Sequence, residues 1–181
     1  TVLGHNVHTD AAQLGVLARY GSAIAHCPDS NLFLGSGRFD LRLHHDAGLR
    51  VGLGSDVGAG TTLSMFHHMR AMSYVQTQSL HPFLPLYHAT LGGAEALQLD
   101  DVVGSLEAGK YADVLEVEID RHFYRGRPLE ELRPLEIASA VVYRCSDAQV
   151  RKVYVAGEEV YRTAPVGTQG GVISNGGPGS E

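Results

Sequence analysis

Two successive strand–helix–glycine units dominate the first 56 residues of the chain. The predicted strands cover residues 2–5, 22–26 and 49–55, and the helices between them end at Gly21 and Gly48. Each strand is apolar along its length and does not alternate with polar residues. This pattern is typical of parallel strands that are covered on both faces. The sequence therefore predicts an α/β fold with a parallel sheet in its first third.

Apolar periodicity and turn-forming residues predict the elements around these strands. A helix over residues 10–20 has Thr9 as its N-cap, and a shorter helix covers residues 39–47. Residues 27–39 are rich in turn formers and are predicted to form a loop. A further helix starts at residue 61 or 62 and runs to about 78, with methionines along its apolar side. Finally, residues 84–99 are predicted to form one helix with a glycine pair in its middle.

Polar side chains stand at the end of each predicted strand. His5 and His26 end the first two strands, and Asp56 directly follows the third. In a (β/α)₈ barrel, the carboxyl ends of the strands form the face that carries catalytic groups. One such residue is usually a cap or a packed polar side chain. Three of them on three successive strands favour a functional site.

The pattern changes after residue 103, where strands appear without a following helix. A turn at residues 107–110 precedes a strand over 112–119, and residues 150–162 are predicted to form a β-hairpin. We therefore expect three parts. Residues 1–103 form part of a barrel, residues 104–162 form a small appended β-domain segment, and residues 163–181 form a flexible tail.

Other histidines and the cysteines are interpreted as structural. His67 and His68 are neighbours and point in different directions on a helix, so they lack the spacing of a helical metal pair and are assigned to surface or packing. His88 lies on a helix and is also assigned a structural role. Cys27 adjoins the expected site but has no partner histidine positioned by a motif, so a buried structural role is expected.

Composition excludes several classes of function. The net charge of −6 argues against a nucleic-acid binder, which needs a concentrated basic face. No apolar run is long enough to span a bilayer, and no signal peptide is visible. The two cysteines cannot form a disulfide framework and fit a reducing, cytoplasmic compartment.

Several segments together resemble the amidohydrolase superfamily and, within it, the guanine deaminase family. The resemblance covers residues 1–162. The segments that carry it are AHCPDSNLFLGSG at 25–37, VGLGSDVG at 51–58, TTLSM at 61–65, ATLGGAEAL at 89–97 and GSLEAGKYADV at 104–114. The last two are shared across the superfamily, whereas the earlier ones indicate guanine deaminase.

The resemblance implies the C-terminal part, about strands six to eight, of a TIM-type barrel with part of a small β-domain. It implies one Zn²⁺ per complete active site. Asp56 matches the metal-binding aspartate, and His5 matches a sixth-strand histidine that touches the attacking water or the substrate. His26 falls on the seventh strand, in a segment that lines the substrate pocket, so the resemblance implies that His26 binds the substrate. The other zinc ligands belong to strands that this chain lacks, so we expect the chain alone to be inactive.

The activity implied by the resemblance is hydrolytic deamination of guanine to xanthine and ammonia, a step of purine catabolism. The expected partner is a small-molecule purine, with no nucleic acid and no membrane, and the full-length form is expected to be a homodimer. Two alternatives remain open. The chain could belong to another purine or triazine aminohydrolase of the superfamily, or it could be a truncated, non-catalytic fragment.

Overall fold

A computed structural model describes residues 1–163, apart from the side chains of residues 121 and 123. The predicted tail lies outside the described residues, except for Thr163. The strands are β1 (Val2–Gly4), β2 (Ala23–His26), β3 (Arg50–Leu53), β4 (Val114–Val117), β5 (Val150–Val155) and β6 (Glu158–Arg162). The helices are α1 (Ala11–Arg19), α2 (Pro28–Phe33), α3 (Leu41–Asp46), α4 (Met65–Val75), α5 (Phe83–Ala89), α6 (Leu91–Leu97) and α7 (Pro134–Tyr143). Short 3₁₀ turns lie at Arg121–Tyr124, Leu129–Glu131 and Asp147–Gln149.

Strands β1, β2 and β3 form a parallel sheet in that order, as the sequence predicts. Leu3 pairs with Ile24, and Ile24 pairs with Val51. Burial differs along the sheet, because β2 lies inside the molecule whereas Val2 and Gly4 of β1 are exposed. The prediction that every strand is covered on both faces is therefore wrong for β1. Val2 of β1 is 44% exposed.

Two hydrophobic clusters hold the elements together. The first joins the parallel sheet to α1, α3 and α4 through Leu14, Ile24, Phe39, Leu41, Leu49, Val51 and Met72. The second joins α4 to α7 and β5 through Phe66, Met69, Val142, Cys145 and Val150. The predicted methionine side of α4 is thus confirmed, with Met69 and Met72 buried. The second cluster contains residues from both sides of position 103, so the two parts of the described chain share a core.

The N-terminal cap of α1 is Asp10 and not the predicted Thr9. An Asp10 carboxylate oxygen accepts a hydrogen bond from the Gln13 N–H at 2.8 Å, and Gln13 Oε1 accepts one from the Asp10 N–H at 3.0 Å. These two bonds form a capping box, which satisfies two backbone donors at once. Thr9 instead donates its hydroxyl to Asn6.

The predicted loop over residues 27–39 contains helix α2. Pro28 occupies its first turn, where its fixed φ favours helix and its missing N–H costs nothing. Asp29 in the same turn is a favourable charge near the helix N-terminus. Because both residues also favour turns, the sequence predicted a loop here, and that prediction is wrong for Pro28–Phe33.

The predicted helix over residues 84–99 is two helices, α5 and α6, that meet at Thr90. The glycine pair allows the chain to turn tightly at this point. A Cβ at Gly92 would lie 2.9 Å from a ring carbon of Tyr87. A Cβ at Gly52 of β3 would lie 3.0 Å from the Cα of Gly93, so α6 packs directly on the sheet backbone.

The second sheet is antiparallel, in the order β4-β5-β6. The hairpin of β5 and β6 is confirmed, and both Ala156 and Gly157 at its turn have positive φ, as tight hairpin turns require. Helix α7 lies between the predicted strand over 112–119 and the predicted hairpin. In the described part of the chain, no helix is both long enough and apolar enough to cross a membrane.

The open edges of the parallel sheet lead to a prediction about self-association. Strands β1 and β3 each have one edge without a strand partner in residues 1–163. Thr1 and His5 already bond to β2, so the N–H groups of Val2 and Gly4 point to the open edge of β1. Because unprotected edges pair with other chains, the 181-residue chain should self-associate.

Val2→Lys should reduce this association, since it places a charge on the edge strand. Val16→Lys is the matched control, because Val16 of α1 is 47% exposed and Val2 is 44% exposed. Size-exclusion chromatography with light scattering measures the mass of each variant. Equal masses for the two variants would contradict the edge-pairing explanation.

Candidate active site

His5 and Asp56 meet at the carboxyl end of the parallel sheet. His5 directly follows β1, and Asp56 lies in the loop that follows β3. The Nε2 atom of His5 is 3.6 Å from Oδ2 of Asp56, and the side chains are 42% and 30% exposed, respectively. The structure therefore brings these two predicted site residues together in a position that a small molecule can reach.

The backbone is unusual at both residues. His5, Asn6 and Asp56 have φ values of 63°, 54° and 50°, in the left-handed region that residues other than glycine rarely adopt. Such conformations cost free energy and cluster at functional sites. Here they turn the chain sharply as it leaves β1 and β3.

Main-chain hydrogen bonds hold the loop of Asp56 in place. The carbonyl of Asp56 accepts hydrogen bonds from the N–H groups of Ala59 at 3.0 Å and Gly60 at 2.6 Å. A Cβ at Gly60 would lie only 1.9 Å from the carbonyl oxygen of Ser55. This close approach makes glycine necessary at position 60.

Helix α2 supplies two polar side chains that the sequence analysis did not single out. Asn31 is buried, and its Oδ1 accepts a hydrogen bond from Nδ1 of His5 at 2.8 Å. Asp29 accepts hydrogen bonds from the Thr61 N–H at 2.6 Å, the Thr61 hydroxyl at 2.8 Å and Nε2 of His67 at 2.8 Å. One signal could have found both residues, since they lie directly after the strand that ends in His26.

The network around Asp29 links α2 to the loop after β3 and to α4. Burial opposes ionisation of Asp29, but the hydrogen bonds from Thr61 and the contact with His67 outweigh it, and the pKa of this carboxyl is lowered. Asp29 is therefore a satisfied anion at neutral pH. His67, assigned to surface or packing from the sequence, is a partner in this network. Its neighbour His68 is buried as expected, and its Nε2 contacts the carbonyl of Thr62.

The side chain of His26 does not join His5 and Asp56. It is fully buried, and its ring stacks on Phe39 with 4.3 Å between the ring centroids. Burial, with the nearby His88, His44 and His68, lowers the pKa of His26 to about 3. Among the described residues, the His26 ring thus packs in the interior and not beside the His5–Asp56 pair, and its substrate-binding role stays a prediction.

Cys27 and His88 have the structural roles expected for them. The Cys27 thiol is buried and contacts the carbonyl of Ala25 at 3.4 Å. Burial raises the pKa of this thiol, and the charge of Asp56 acts in the same direction, so it is a poor nucleophile. His88 is also buried, and its Nδ1 donates to the carbonyl of Val51 at 2.6 Å.

The donor atoms at the site are of the kind that zinc prefers. Imidazole nitrogen and carboxylate oxygen are ordinary zinc ligands. Within residues 1–163, no group of three or more histidine, cysteine, aspartate or glutamate side chains is placed to hold a metal ion. The imidazole of His5 and the carboxylate of Asp56 are thus chemically compatible with one part of a zinc site.

Comparison with known proteins connects this geometry to a family. The model of the Amidohydrolase family matches residues 1–160. A probable guanine deaminase of Deinococcus radiodurans is 45% identical over 121 residues, covering 64% of this chain and 28% of its own length. The guanine deaminase of Escherichia coli is 37% identical over 169 residues, covering 88% of this chain and 37% of its own length. A 5-methylthioadenosine/S-adenosylhomocysteine deaminase of Teredinibacter turnerae is 32% identical, covering 93% and 39%, respectively.

Solved structures agree with the sequence comparison. The E. coli guanine deaminase superposes with a TM-score of 0.83 at 34% identity, covering 90% of this chain and 39% of that protein. The C. acetobutylicum guanine deaminase, solved with guanine bound in the active site, gives a TM-score of 0.74 at 30% identity, covering 89% of this chain and 39% of that protein. An atrazine chlorohydrolase of Arthrobacter aurescens, complexed with zinc, gives 0.71 at 26% identity, covering 89% and 36%. The chain thus spans between 28% and 39% of the length of these relatives.

The buried histidines predict a loss of stability in acid. His26 and His88 have pKa values lowered to about 3 and about 4, whereas the value for an unburied histidine is 6.5. Below pH 6.5 the unfolded chain therefore binds more protons than the folded chain. The free energy of unfolding is therefore not reduced by these histidines above pH 6.5. As the pH falls from 6.5 towards 4, it decreases by about 1.4 kcal/mol per pH unit for each histidine.

His26→Phe keeps an aromatic ring against Phe39 and removes the titrating group. It should flatten the decline of the melting temperature between pH 7 and pH 5, because one differential proton is gone. Circular dichroism melts across this range measure the effect, with the exposed His122 replaced in a His122→Gln control. An unchanged pH dependence in His26→Phe would show that His26 is not buried in its neutral form.

Proposed function

This chain belongs to the amidohydrolase family, and we propose that it is the C-terminal part of a zinc-dependent guanine deaminase. The proposed reaction is hydrolysis of guanine to xanthine and ammonia, a step of purine catabolism. The observation that carries the proposal is the His5–Asp56 pair, with 3.6 Å between Nε2 and Oδ2, at the carboxyl ends of parallel strands. Similarity to guanine deaminases over most of the chain supports the choice of substrate.

Under this proposal, β1, β2 and β3 are the sixth, seventh and eighth strands of a TIM-type barrel. Residues 104–162 then form part of the appended β-domain. Asp56 is the zinc ligand supplied by this chain, and the remaining ligands come from strands outside it. Zinc, when bound, lowers the pKa of a coordinated water so that the water becomes nucleophilic near neutral pH.

Residues of this chain then transfer protons and orient the water during the reaction. The water oxygen forms a bond to the ring carbon that bears the amino group, and the bond from that carbon to the amino nitrogen breaks. The Asp56 carboxylate accepts a proton as the water attacks; one proton of the water ends on the ring nitrogen of the former C=N bond, and the other ends on the leaving nitrogen, which departs as ammonia while the C=O of xanthine forms. His5 faces the same space and orients the water by a hydrogen bond at Nε2. Asn31 and Asp29 hold the surrounding loops in position.

A second candidate is another purine or triazine aminohydrolase of the family. Similarity to the T. turnerae deaminase and to the zinc-containing A. aurescens enzyme favours it. A non-catalytic role for the isolated chain is the third candidate.

We further propose that the complete protein is a cytoplasmic homodimer. Both of its cysteines in this chain are free and buried, which a reducing compartment permits.

A panel of substrates tests the proposed function. The complete protein, loaded with zinc, should release ammonia from guanine with a kcat/KM well above that for methylthioadenosine or an aminotriazine. The 181-residue chain alone should show no activity and no stoichiometric zinc by elemental analysis. A preference for either competing substrate would replace guanine deaminase by the second candidate, and an inactive complete protein would contradict both enzymatic candidates.

Substitutions at the pair test the assignment of residues. In the complete protein, Asp56→Asn should lower kcat/KM by at least about a thousandfold and reduce the zinc content, because it removes both a ligand charge and a proton acceptor. His5→Ala should lose most of the activity and retain most of the zinc. Asp46→Asn, at an exposed carboxylate of α3, is the control and should behave as wild type. Near wild-type turnover in Asp56→Asn would exclude this mechanism.

A further inference from the structure

Asn31 contacts His5 on the side of the ring opposite Asp56. Its Oδ1 lies 2.8 Å from Nδ1 of His5, while Nε2 of the same ring faces Oδ2 of Asp56 at 3.6 Å. An amide oxygen can only accept a hydrogen bond, so Nδ1 must carry a proton. In the neutral ring, Nε2 then carries a lone pair, because the bond made by one ring nitrogen decides the state of the other.

We infer that Asn31 is a positioning residue that holds His5 in the tautomer protonated at Nδ1. Its value for catalysis rests on the proposed function, whereas the tautomer itself does not. In this state, Nε2 of His5 and the Asp56 carboxylate are two acceptors that face the same space. Both groups can therefore accept a hydrogen bond from a donor such as the O–H of the attacking water.

Burial and backbone hydrogen bonds fix the position of the Asn31 amide, so it can select the tautomer of His5. Asn31 is 2% exposed. Its backbone N–H donates to the carbonyl of Cys27 at 3.1 Å, and its carbonyl accepts from the Ser36 N–H at 2.9 Å. Helix α2 is itself tied to the next loop by the bonds from Thr61 to Asp29. The side-chain nitrogen of Asn31 finds no acceptor among the described residues, so the hold on His5 depends on the oxygen.

The adjacent Ser30 provides a matched control. It is fully buried on the same helix, and its hydroxyl has no hydrogen-bond partner in the described part of the chain. Ser30→Ala therefore changes a buried polar side chain of α2 without removing a contact to His5. Asn31→Leu removes the acceptor at similar volume, and Asn31→Asp keeps an acceptor oxygen.

The test is a long-range ¹⁵N–¹H correlation spectrum of the complete protein labelled at histidine, with His5→Gln used to assign the signals. Wild type, Ser30→Ala and Asn31→Asp should show His5 protonated at Nδ1. Asn31→Leu should show a mixture of tautomers. In guanine deamination, Asn31→Leu should lower kcat by about 10- to 100-fold with little change in KM, as the loss of an orienting partner does at other sites.

The outcomes separate this inference from the proposed function. His5 protonated only at Nε2 in wild type, or an unchanged His5 spectrum in Asn31→Leu, would overturn the role of Asn31 whatever the activity. If Asn31→Leu does not fold, the wild-type and Asn31→Asp spectra still decide the tautomer. A spectrum as expected in a protein that does not deaminate guanine would retain the positioning role and reject the proposed function.

Discussion

Hydrogen bonding between parallel strands continues past the last paired residues of the sheet, and the position of the candidate site depends on it. The His5 N–H donates to the carbonyl of Ala25 at 3.0 Å, and the Gly54 N–H donates to the carbonyl of His26 at 2.9 Å. These bonds align the three chain segments at the point where each leaves its strand. Only after them do His5 and Asp56 turn into the left-handed region. The ladder thus brings together two residues that are 51 positions apart in the chain (56 minus 5).

Around this ladder, polar groups are buried in two different ways. Asp29 is an anion with several donors, so its burial is compatible with charge and fixes the loop after β3 to helix α2. His26 has no hydrogen-bond partner at either ring nitrogen within the described residues, and it remains neutral in an aromatic environment. The first arrangement orients the site, and the second fills the space beneath the sheet. Exchanging the two environments would leave a charge without partners, which is far more costly than a neutral imidazole.

The sequence alone was sufficient for the strands and for the site pair, because both depend on local pattern. Apolar runs that end in His5 and precede Asp56 predict where each strand stops. Parallel pairing then places the carboxyl ends of these strands side by side. Helix α2 was missed because Pro28 and Asp29 favour both turns and helix starts. Local residues do not decide between these two structures. In the folded chain, Asp29 in the first turn of α2 accepts a hydrogen bond from Thr61, 32 positions away, and this contact is not visible in the local sequence.

Other features that the sequence did not reveal also depend on contacts between residues that are distant in sequence. His26 occupies the end of a strand as predicted, but the stacking of Phe39 on its ring turns it into a core residue. His67 lacks the spacing of a metal pair, and its actual partner is Asp29, 38 positions away. The boundary between α5 and α6 depends on how closely Gly92 approaches Tyr87. The hydrophobic pattern of a segment predicts whether it forms a helix or a strand. It does not predict which distant side chain packs against that segment.

The thiol of Cys27 has a practical consequence for studying how this molecule opens. A Cβ at Gly54 would lie 3.0 Å from the Cys27 sulfur, so the thiol already fills the space between the ends of β2 and β3. An alkylating reagent can reach that sulfur only when the two strand ends separate. Cys145 is 1% exposed, against 5% for Cys27, and it lies in the cluster formed by α4, α7 and β5. The chain therefore contains two natural reporters, and their separate labelling rates would measure how often the strand ends beside Cys27 and the cluster around Cys145 open, without any introduced probe.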